Sequence, residues 1–306
     1  MMKKQYTVQE DGFRAVWFEG SMDRQHAVIY MTGARCGERI TTDSAQYLVE
    51  AGYSVLCLGF YYWKGMSDKL DSIPVEYVER AVAELQRNGY GRIAIHGIST
   101  GAGYALLCAS LIPDISCVLA IVPYDYVMEA MKHDLFPLGR AVYTHRGKSL
   151  PYSRYTCVND GLLKGLRQFF ACRKEKGYRL THMGRFGYDT SDENEPSRIK
   201  VENMRARVLL IAADKDDAWP SDVAVPRMER ILKEAGYPYP VTAIVYEKAS
   251  HALGINQSAY LGNPAIRWLI RFKLTNEKLY PEQCAAARAD CLRQILHALE
   301  MWRQEG

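Results

Sequence analysis

The sequence lacks the apolar segments that membrane insertion and secretion require. None of its hydrophobic runs approaches the ~20 residues of a membrane-spanning helix. In the N-terminal stretch MMKKQYTVQEDGF, the two lysines are followed by polar residues instead of the apolar region of a signal peptide. We therefore expect no membrane span and a cytoplasmic location.

A strong excess of charge of either sign is also missing. The 306 residues include 39 Lys and Arg against 35 Asp and Glu, which gives a formal net charge of +4. Domains that bind nucleic acids are usually strongly basic with clustered charge, so we expect no nucleic-acid partner. With 48% hydrophobic and 24% charged residues, the composition is that of a globular protein.

The eight cysteines form no C-x-x-C pair, and no other spacing typical of metal ligands is present. Several of them, such as Cys57 and Cys117, lie inside apolar runs. This placement is typical of small buried thiols in a reducing compartment. The sequence therefore predicts neither a metal site nor a cofactor.

What the sequence does contain is a regular alternation of short apolar runs with helical segments. Runs typical of strands buried on both faces occupy residues 26–31, 53–60, 92–97, 116–122, 206–213 and 241–247. Helices are predicted between them, for example over residues 74–86 and 221–235. Such alternation indicates right-handed βαβ units and a mostly parallel sheet.

The alternation stops after the fourth of these strands. Residues 124–200 are rich in Tyr, Arg and Lys and contain no clear buried strand, so we predict a cap-like insertion there. No repeat, low-complexity stretch or Gly/Ser/Pro-rich linker divides the chain, and we predict a single domain over residues 1–306. A final helix over residues 281–303 has an apolar face, which either packs on the sheet, the more usual outcome, or forms a homodimer contact.

A serine lies directly after the third predicted strand. Gly97-Ile98-Ser99-Thr100-Gly101 matches G-x-S-x-G, a short pattern whose value depends on its context. A buried strand precedes it and a helix-like run follows it, which is the setting of a nucleophile elbow. Glycines on either side avoid collisions around the strained serine, which points into the cleft at the carboxyl ends of the strands. We predict Ser99 as a nucleophile, the alternative being a simple helix cap.

A serine hydroxyl needs a base to become a good nucleophile. In chains with this elbow, the acid and then the histidine follow the serine in sequence. His251 meets that order, because it comes after the strand over residues 241–247 and the short loop KAS. The other six histidines lie in or beside strands, in the insertion or in the last helix, and are weaker candidates.

The acid is expected after the strand over residues 206–213, where three carboxylates compete. Asp216 stands four residues before Pro220, a spacing found in many α/β hydrolases, and is our preferred candidate. Asp217 and Asp214 remain open as alternatives, and Asp125 is a more distant one. The acid would hold the imidazole tautomer and stabilise the imidazolium.

An oxyanion hole needs two backbone N–H groups. Thr100, directly after the nucleophile, is expected to supply one. The second is expected from the loop Thr32-Gly33-Ala34-Arg35, with Ala34 or Arg35 as the donor. Gly33 suits a close approach of the backbone to a ligand.

With these residues in place, the chain resembles the catalytic domain shared by acyl-CoA thioester hydrolases and bile acid-CoA:amino acid N-acyltransferases, near the dienelactone hydrolases. The resemblance extends over roughly residues 25–275, and its matching stretches are SVLCLGFYYWKG, PVEYVERAVAEL, IAIHGISTGAGYALLCAS and VENMRARVLLIAADKDDAWPS. It implies an α/β-hydrolase fold with Ser99, Asp216 and His251 in the triad positions. Members that conjugate amino acids use a cysteine nucleophile, so serine here implies that the acyl group passes to water.

The resemblance also implies a small-molecule ester or thioester substrate. Positive charges that would suit the phosphates of CoA, or that simply form a solvated face, are Arg35, Lys132, Arg140, Arg146, Lys148 and Arg154. Tyr61, Trp63 and Tyr124 follow core strands at the catalytic end. These aromatic side chains either line an acyl pocket or pack under the insertion.

Two other functions remain open at this point. A peptidase or amidase of the same fold would usually need a recognition domain or an amine site, and neither is evident. A non-catalytic binding protein with this fold would usually have lost a triad residue, and none is lost. We therefore predict a serine esterase or thioesterase.

Overall fold

The computed structural model describes residues 3–132, 136–155, 194–255 and 264–305, together with residues 167, 170–171, 185, 188 and 191–192. In chain order, the strands are β1 (Lys3–Tyr6), β2 (Arg14–Phe18), β3 (His26–Met31), β4 (Ser54–Gly59), β5 (Ile73–Pro74), β6 (Arg92–Ile98), β7 (Ile115–Ile121), β8 (Glu129–Lys132), β9 (Phe136–Ala141), β10 (Tyr143–His145), β11 (Lys148–Ser149), β12 (Arg154–Tyr155), β13 (Ser191–Asp192), β14 (Arg207–Ala213) and β15 (Val241–Tyr246). The α-helices of the described residues are α1 (Val8–Asp11), α2 (Glu38–Ser44), α3 (Gln46–Glu50), α4 (Glu76–Arg87), α5 (Thr100–Leu111), α6 (Ser221–Glu234), α7 (Pro264–Lys273), α8 (Thr275–Leu279) and α9 (Pro281–Gln304).

Eight strands form the central sheet, in the order β1-β2-β4-β3-β6-β7-β14-β15. The pairs β1–β2 and β2–β4 are antiparallel, and all later neighbours in the sheet are parallel. The six predicted core strands are all present, with ends that differ from the prediction by at most one residue. The α/β-hydrolase fold class is confirmed.

The core lies on both faces of this sheet because side chains alternate along each buried strand. In β3, Ala27 and Ile29 belong to one buried cluster, whereas Val28 and Tyr30 belong to the other. Helix α5 covers the first cluster. The apolar face of α9 covers the second, where Trp302 is fully buried. The sequence left two outcomes open for the apolar face of this last helix, packing on the sheet or a homodimer contact. In the structure this face packs on the sheet.

Residues 5–18 consist of two short stretches interrupted by Asp11-Gly12, a pattern that indicates a β-hairpin. The structure has this hairpin, since β1 and β2 pair antiparallel. The short helix α1 connects the two strands, with Thr7 accepting a hydrogen bond from the Glu10 N–H at its start. Gly12 ends this helix in the left-handed conformation, with φ of 76°.

A local difference from the prediction lies in the segment over residues 124–200, where no clear buried strand was predicted. Its described residues include short strands in small sheets, β8 with β9 and β12 with β13, and β10 pairs with β5 and β11. These strands have only two to six residues, which is too short for a periodic pattern to be recognised.

Candidate active site

Ser99 stands at the turn between β6 and α5. Its backbone has φ of 56° and ψ of −120°, a strained conformation for a residue with a side chain. A hydrogen bond of 2.8 Å from its N–H to the carbonyl oxygen of Ile121, at the end of β7, ties this turn to the sheet. The strain is therefore held in place by the neighbouring strand.

Close backbone packing explains the glycines around Ser99. A Cβ atom on Gly97 would lie 2.2 Å from the carbonyl oxygen of Gly101, and one on Gly101 would lie 2.4 Å from that of Thr32. A Cβ atom added to Gly33 would lie 3.1 Å from the Cβ of Ser99. The elbow and the loop after β3 are therefore in direct contact.

Ser99, His251 and Asp216 are hydrogen bonded in series. The Nε2 atom of His251 lies 2.9 Å from the Oγ atom of Ser99, and its Nδ1 atom lies 2.9 Å from Oδ2 of Asp216. Asp216 is fully buried, whereas 19% of the His251 side chain is exposed. The structure thus brings together the three side chains that the sequence analysis selected.

The surroundings of Asp216 hold its carboxylate in one orientation. Its Oδ1 atom accepts hydrogen bonds from the N–H groups of Ala218 and Trp219, at 3.1 and 2.9 Å. The hydroxyl of Ser221 donates to Oδ2 at 2.6 Å. Three donors besides His251 therefore fix the Asp216 carboxylate.

The electrostatics favour the protonated form of His251. Burial alone would lower the pKa of this imidazole, but the charge and the hydrogen bond of Asp216, aided by the charge of Asp217, outweigh burial and raise the pKa. An imidazole with such partners is suited to accept a proton and to carry the resulting charge.

The competing carboxylates point elsewhere. Oδ2 of Asp217 accepts hydrogen bonds from the N–H and the hydroxyl of Thr275, at 2.8 and 2.7 Å, and burial raises the pKa of Asp217 to about 6. Asp214 accepts from the Asn276 amide at 3.4 Å. Asp125 accepts from the Tyr188 hydroxyl at 2.5 Å. Asp216 is the carboxylate that contacts His251.

A triplet at the start of α8, residues Thr275, Asn276 and Glu277, supports both the acid loop and the histidine loop. Thr275 binds Asp217 as described, and the Asn276 amide donates to the carbonyl oxygen of Ala249 at 2.6 Å. Glu277 accepts a hydrogen bond of 2.6 Å from the hydroxyl of Ser250.

All three side chains of the triplet are buried, and Arg288 of α9 forms an ion pair with Glu277. Sequence analysis missed this triplet, because a short polar helix carries no motif. Its one signal was the set of polar residues TNE between two apolar helices.

The loop after β3 lies beside Ser99, where an oxyanion hole for a serine nucleophile would be expected. Thr100 begins α5, where N–H groups lack a partner within the helix and the helix dipole favours negative charge. Ala34 lines the same cavity as Ser99, whereas the Arg35 N–H donates to the hydroxyl of Tyr61 at 2.6 Å. Of the two donors expected in this loop, the geometry therefore favours Ala34.

Two of the predicted pocket aromatics pack behind this loop and do not line the cavity. The indole N–H of Trp63 donates to the carbonyl oxygen of Cys36 at 3.2 Å, and Tyr61 accepts from Arg35. Both side chains are almost fully buried. Tyr124, by contrast, lines the cavity next to Ser99.

The cavity beside Ser99 has a volume of about 620 Å³. Most of its lining is apolar or aromatic, and the described residues of that kind are Ala34, Ile40, Leu70, Ile98, Tyr124, Met128, Met131, Val142, Tyr155, Ala218, Trp219, Ala252, Ile255, Ile270 and Leu274. Such a lining suits an apolar acyl or alkyl group.

Of the predicted cations for a phosphate site, Arg35, Arg140, Arg146, Lys148 and Arg154 do not line this cavity. The side chain of Lys132 lies outside the described part of the structure. Arg140 pairs with Asp71 through two hydrogen bonds of 2.7 and 2.5 Å. Lys148 and Arg154 are exposed. Among the described lining residues there is no Lys or Arg, so the structure assigns no phosphate subsite to its wall.

Comparison with known families places the chain by sequence. The family model described as "BAAT / Acyl-CoA thioester hydrolase C terminal" matches residues 73–256, more than half of the chain. The chain belongs to this family. The matched segment contains Ser99, Asp216 and His251. Membership supports a hydrolase of the esterase and thioesterase type.

Solved structures agree with this fold. A protein from Klebsiella pneumoniae subsp. pneumoniae, described as a dienelactone hydrolase, is 13% identical to this chain with a TM-score of 0.54. The match covers 100% of this chain and 99% of that chain. A puromycin-hydrolysing peptidase from Mycobacterium tuberculosis is 14% identical, with a TM-score of 0.53, over 89% of this chain. This chain spans only 39% of that peptidase. At these identities the likeness concerns the fold alone.

A search of curated protein sequences finds no match to this chain. In the part of the chain that the structure describes, no helix has both the length and the apolar character needed to span a membrane.

Proposed function

We propose that this protein is a serine hydrolase that cleaves a carboxylic ester or thioester through an acyl-Ser99 intermediate. The observation that carries the proposal is the series of two 2.9 Å hydrogen bonds from Ser99 through His251 to Asp216. This arrangement matches the roles of nucleophile, general base and orienting acid.

In the proposed reaction, Oγ of Ser99 attacks the carbonyl carbon while Nε2 of His251 takes the hydroxyl proton. Asp216 keeps the other ring nitrogen protonated and stabilises the imidazolium. The N–H groups of Thr100 and Ala34 would bind the oxyanion. His251 then returns its proton to the departing alcohol or thiol, and a water molecule releases the acid by the same steps in reverse.

The family and the nucleophile together support water as the acceptor. The family model includes acyl-CoA thioester hydrolases, so an acyl-CoA is a substrate to test first. The apolar wall of the cavity supports an acyl group of low polarity beside Ser99.

The test is a panel of p-nitrophenyl esters, acyl-CoAs and aminoacyl anilides, measured with the wild type and with Ser99→Ala. We expect turnover of esters or thioesters that falls on the order of 10⁶-fold in the variant. A fluorophosphonate probe should label Ser99, as read by peptide mass spectrometry. Undiminished turnover in Ser99→Ala, or cleavage of the anilides in preference to the esters, would contradict the proposal.

A further inference from the structure

Among the described residues that line the cavity, one has a carboxylate in an otherwise largely apolar wall. Glu129 lies on β8, is only 4% exposed, and lines the same cavity as Ser99. Met131 on the same strand and Met128, directly before it, also line the cavity. Burial of an ionisable side chain in such surroundings costs free energy unless hydrogen bonds or ion pairs replace its contacts with water.

Backbone groups satisfy Glu129 only in part. Oε1 accepts a hydrogen bond from the Gly139 N–H at 2.8 Å, and Oε2 accepts one from the Tyr155 N–H at 3.0 Å. An ionised carboxylate has about four acceptor positions, so roughly two remain for a ligand or water. No Lys or Arg of the described residues forms an ion pair with Glu129.

The free acceptor positions have a consequence for an acyl group in this cavity. A purely apolar chain would displace water from Glu129 and leave its acceptors unsatisfied, which costs binding energy. A chain that carries a hydrogen-bond donor would replace that water, and an ammonium group would also offset the negative charge. A chain that ends in a carboxylate would be repelled.

We propose that Glu129 is a specificity-determining residue that selects acyl groups bearing a hydrogen-bond donor, with ammonium preferred over hydroxyl and with carboxylate excluded. This inference rests on the proposed function, because it assumes that the acyl group of the substrate occupies the cavity beside Ser99. It makes the substrate class narrower than a general apolar ester.

The first experiment uses the wild-type protein, so it does not depend on a variant that folds. The kcat/KM values are compared for p-nitrophenyl esters from butanoyl to octanoyl with a terminal methyl, hydroxyl, ammonium or carboxylate group. At the best chain length, we expect the ammonium ester to exceed the methyl ester by about 10-fold or more, and the carboxylate ester to be the poorest. Equal or higher kcat/KM for the methyl or carboxylate ester at every length would overturn the proposal.

The second experiment assigns the preference to Glu129. In Glu129→Gln, which removes the charge but keeps the size, the ammonium-to-methyl ratio should fall by about 10-fold and the carboxylate ester should improve. Glu84→Gln on α4 is the matched control, because Glu84 contacts Lys4 and Asn88 and lies outside the cavity. A ratio that is unchanged in Glu129→Gln would overturn the assignment.

A binding measurement separates this proposal from the function on which it rests. The N-methylamides of the same acids, which cannot transfer their acyl group to the Ser99→Ala variant, are titrated into that variant by calorimetry. Tighter binding of the ammonium-bearing amide supports the role of Glu129 even if the ester panel shows no turnover, in which case only the proposed hydrolysis fails. Turnover that depends on Ser99, together with equal or weaker binding of that amide, would overturn the role of Glu129 and leave the hydrolase intact.

Discussion

The two sides of the candidate active site are built in different ways. The nucleophile side, named for the proposed nucleophile Ser99, comes from one short stretch, Gly97 to Gly101, whose position follows from backbone packing against β7 and the loop after β3. On the other side, the proposed acid Asp216 and the proposed base His251 lie in two loops that are held by the triplet of α8, a helix remote from both in sequence. A local motif therefore forms the first side, and long-range hydrogen bonds form the second.

The largest effect in this comparison is expected from the acid. Asp216→Asn should lower kcat on the order of 10⁴-fold, because an amide in place of the carboxylate favours the wrong imidazole tautomer. Asp217→Asn is the matched control at the adjacent position and should cost much less, since Asp217 contacts Thr275 instead of His251. A larger loss of kcat in Asp217→Asn than in Asp216→Asn would indicate that Asp217, and not Asp216, is the acid.

On the nucleophile side, a single methyl group should be enough to disrupt the elbow. In Gly97→Ala the new Cβ would lie 2.2 Å from the carbonyl oxygen of Gly101, so the turn must shift. We expect a loss of about 3 kcal/mol in the free energy of unfolding, measured by urea denaturation, together with a loss of fluorophosphonate labelling.

Gly37→Ala is the control for that variant, because nothing lies within 4 Å of a Cβ at Gly37. It should unfold at a urea concentration close to that of the wild type. If the two alanine variants had equal stability, the packing argument for the elbow would be wrong.

On the acid–base side, the effect on catalysis should be smaller. Thr275→Val removes the hydroxyl that donates to buried Asp217, and we expect kcat to fall about 10-fold with little change in KM, because the acid loop is less well positioned. Thr275→Ser keeps the hydroxyl and should restore most of the lost kcat. An equal loss in both variants would indicate a packing role for Thr275 instead.

The smallest expected effect is a shift in pH dependence. His251 must be neutral to act as a base, so kcat/KM should rise with pH as the imidazole loses its proton, with a midpoint above the usual histidine value of 6.5. Asp217→Asn removes a negative charge that raises the pKa of His251, so its midpoint should move down by a fraction of a unit. A midpoint that moved up in this variant would contradict the electrostatic account.

The same contrast explains how much could be predicted from the sequence. The core strands were predictable because each is a continuous apolar run, and Ser99 because its glycines are adjacent to it. Asp216 could not be separated from Asp217 in sequence, since the choice depends on which carboxylate reaches His251 and which reaches Thr275. Nothing in the sequence around Tyr61 and Trp63 indicated that these side chains contact the loop after β3 and do not line the cavity.

The burial of Glu129, in one of the short strands after the fourth core strand, could not be predicted from the sequence either. Nothing in the stretch VMEAMK distinguishes a surface glutamate from one that is 4% exposed in a cavity. Its burial depends on N–H groups from β9 and β12, which come together only in the folded protein.

The position of the triplet in α8 has a consequence for how related genes are interpreted. The segment matched by the family, residues 73–256, contains the serine, the aspartate and the histidine but ends before Thr275. A homologue could retain all three and still have replaced the residues that hold two of them in place. Surveys that count intact triads would then overestimate the number of active members, and alignments extended through α8 would provide a stricter criterion.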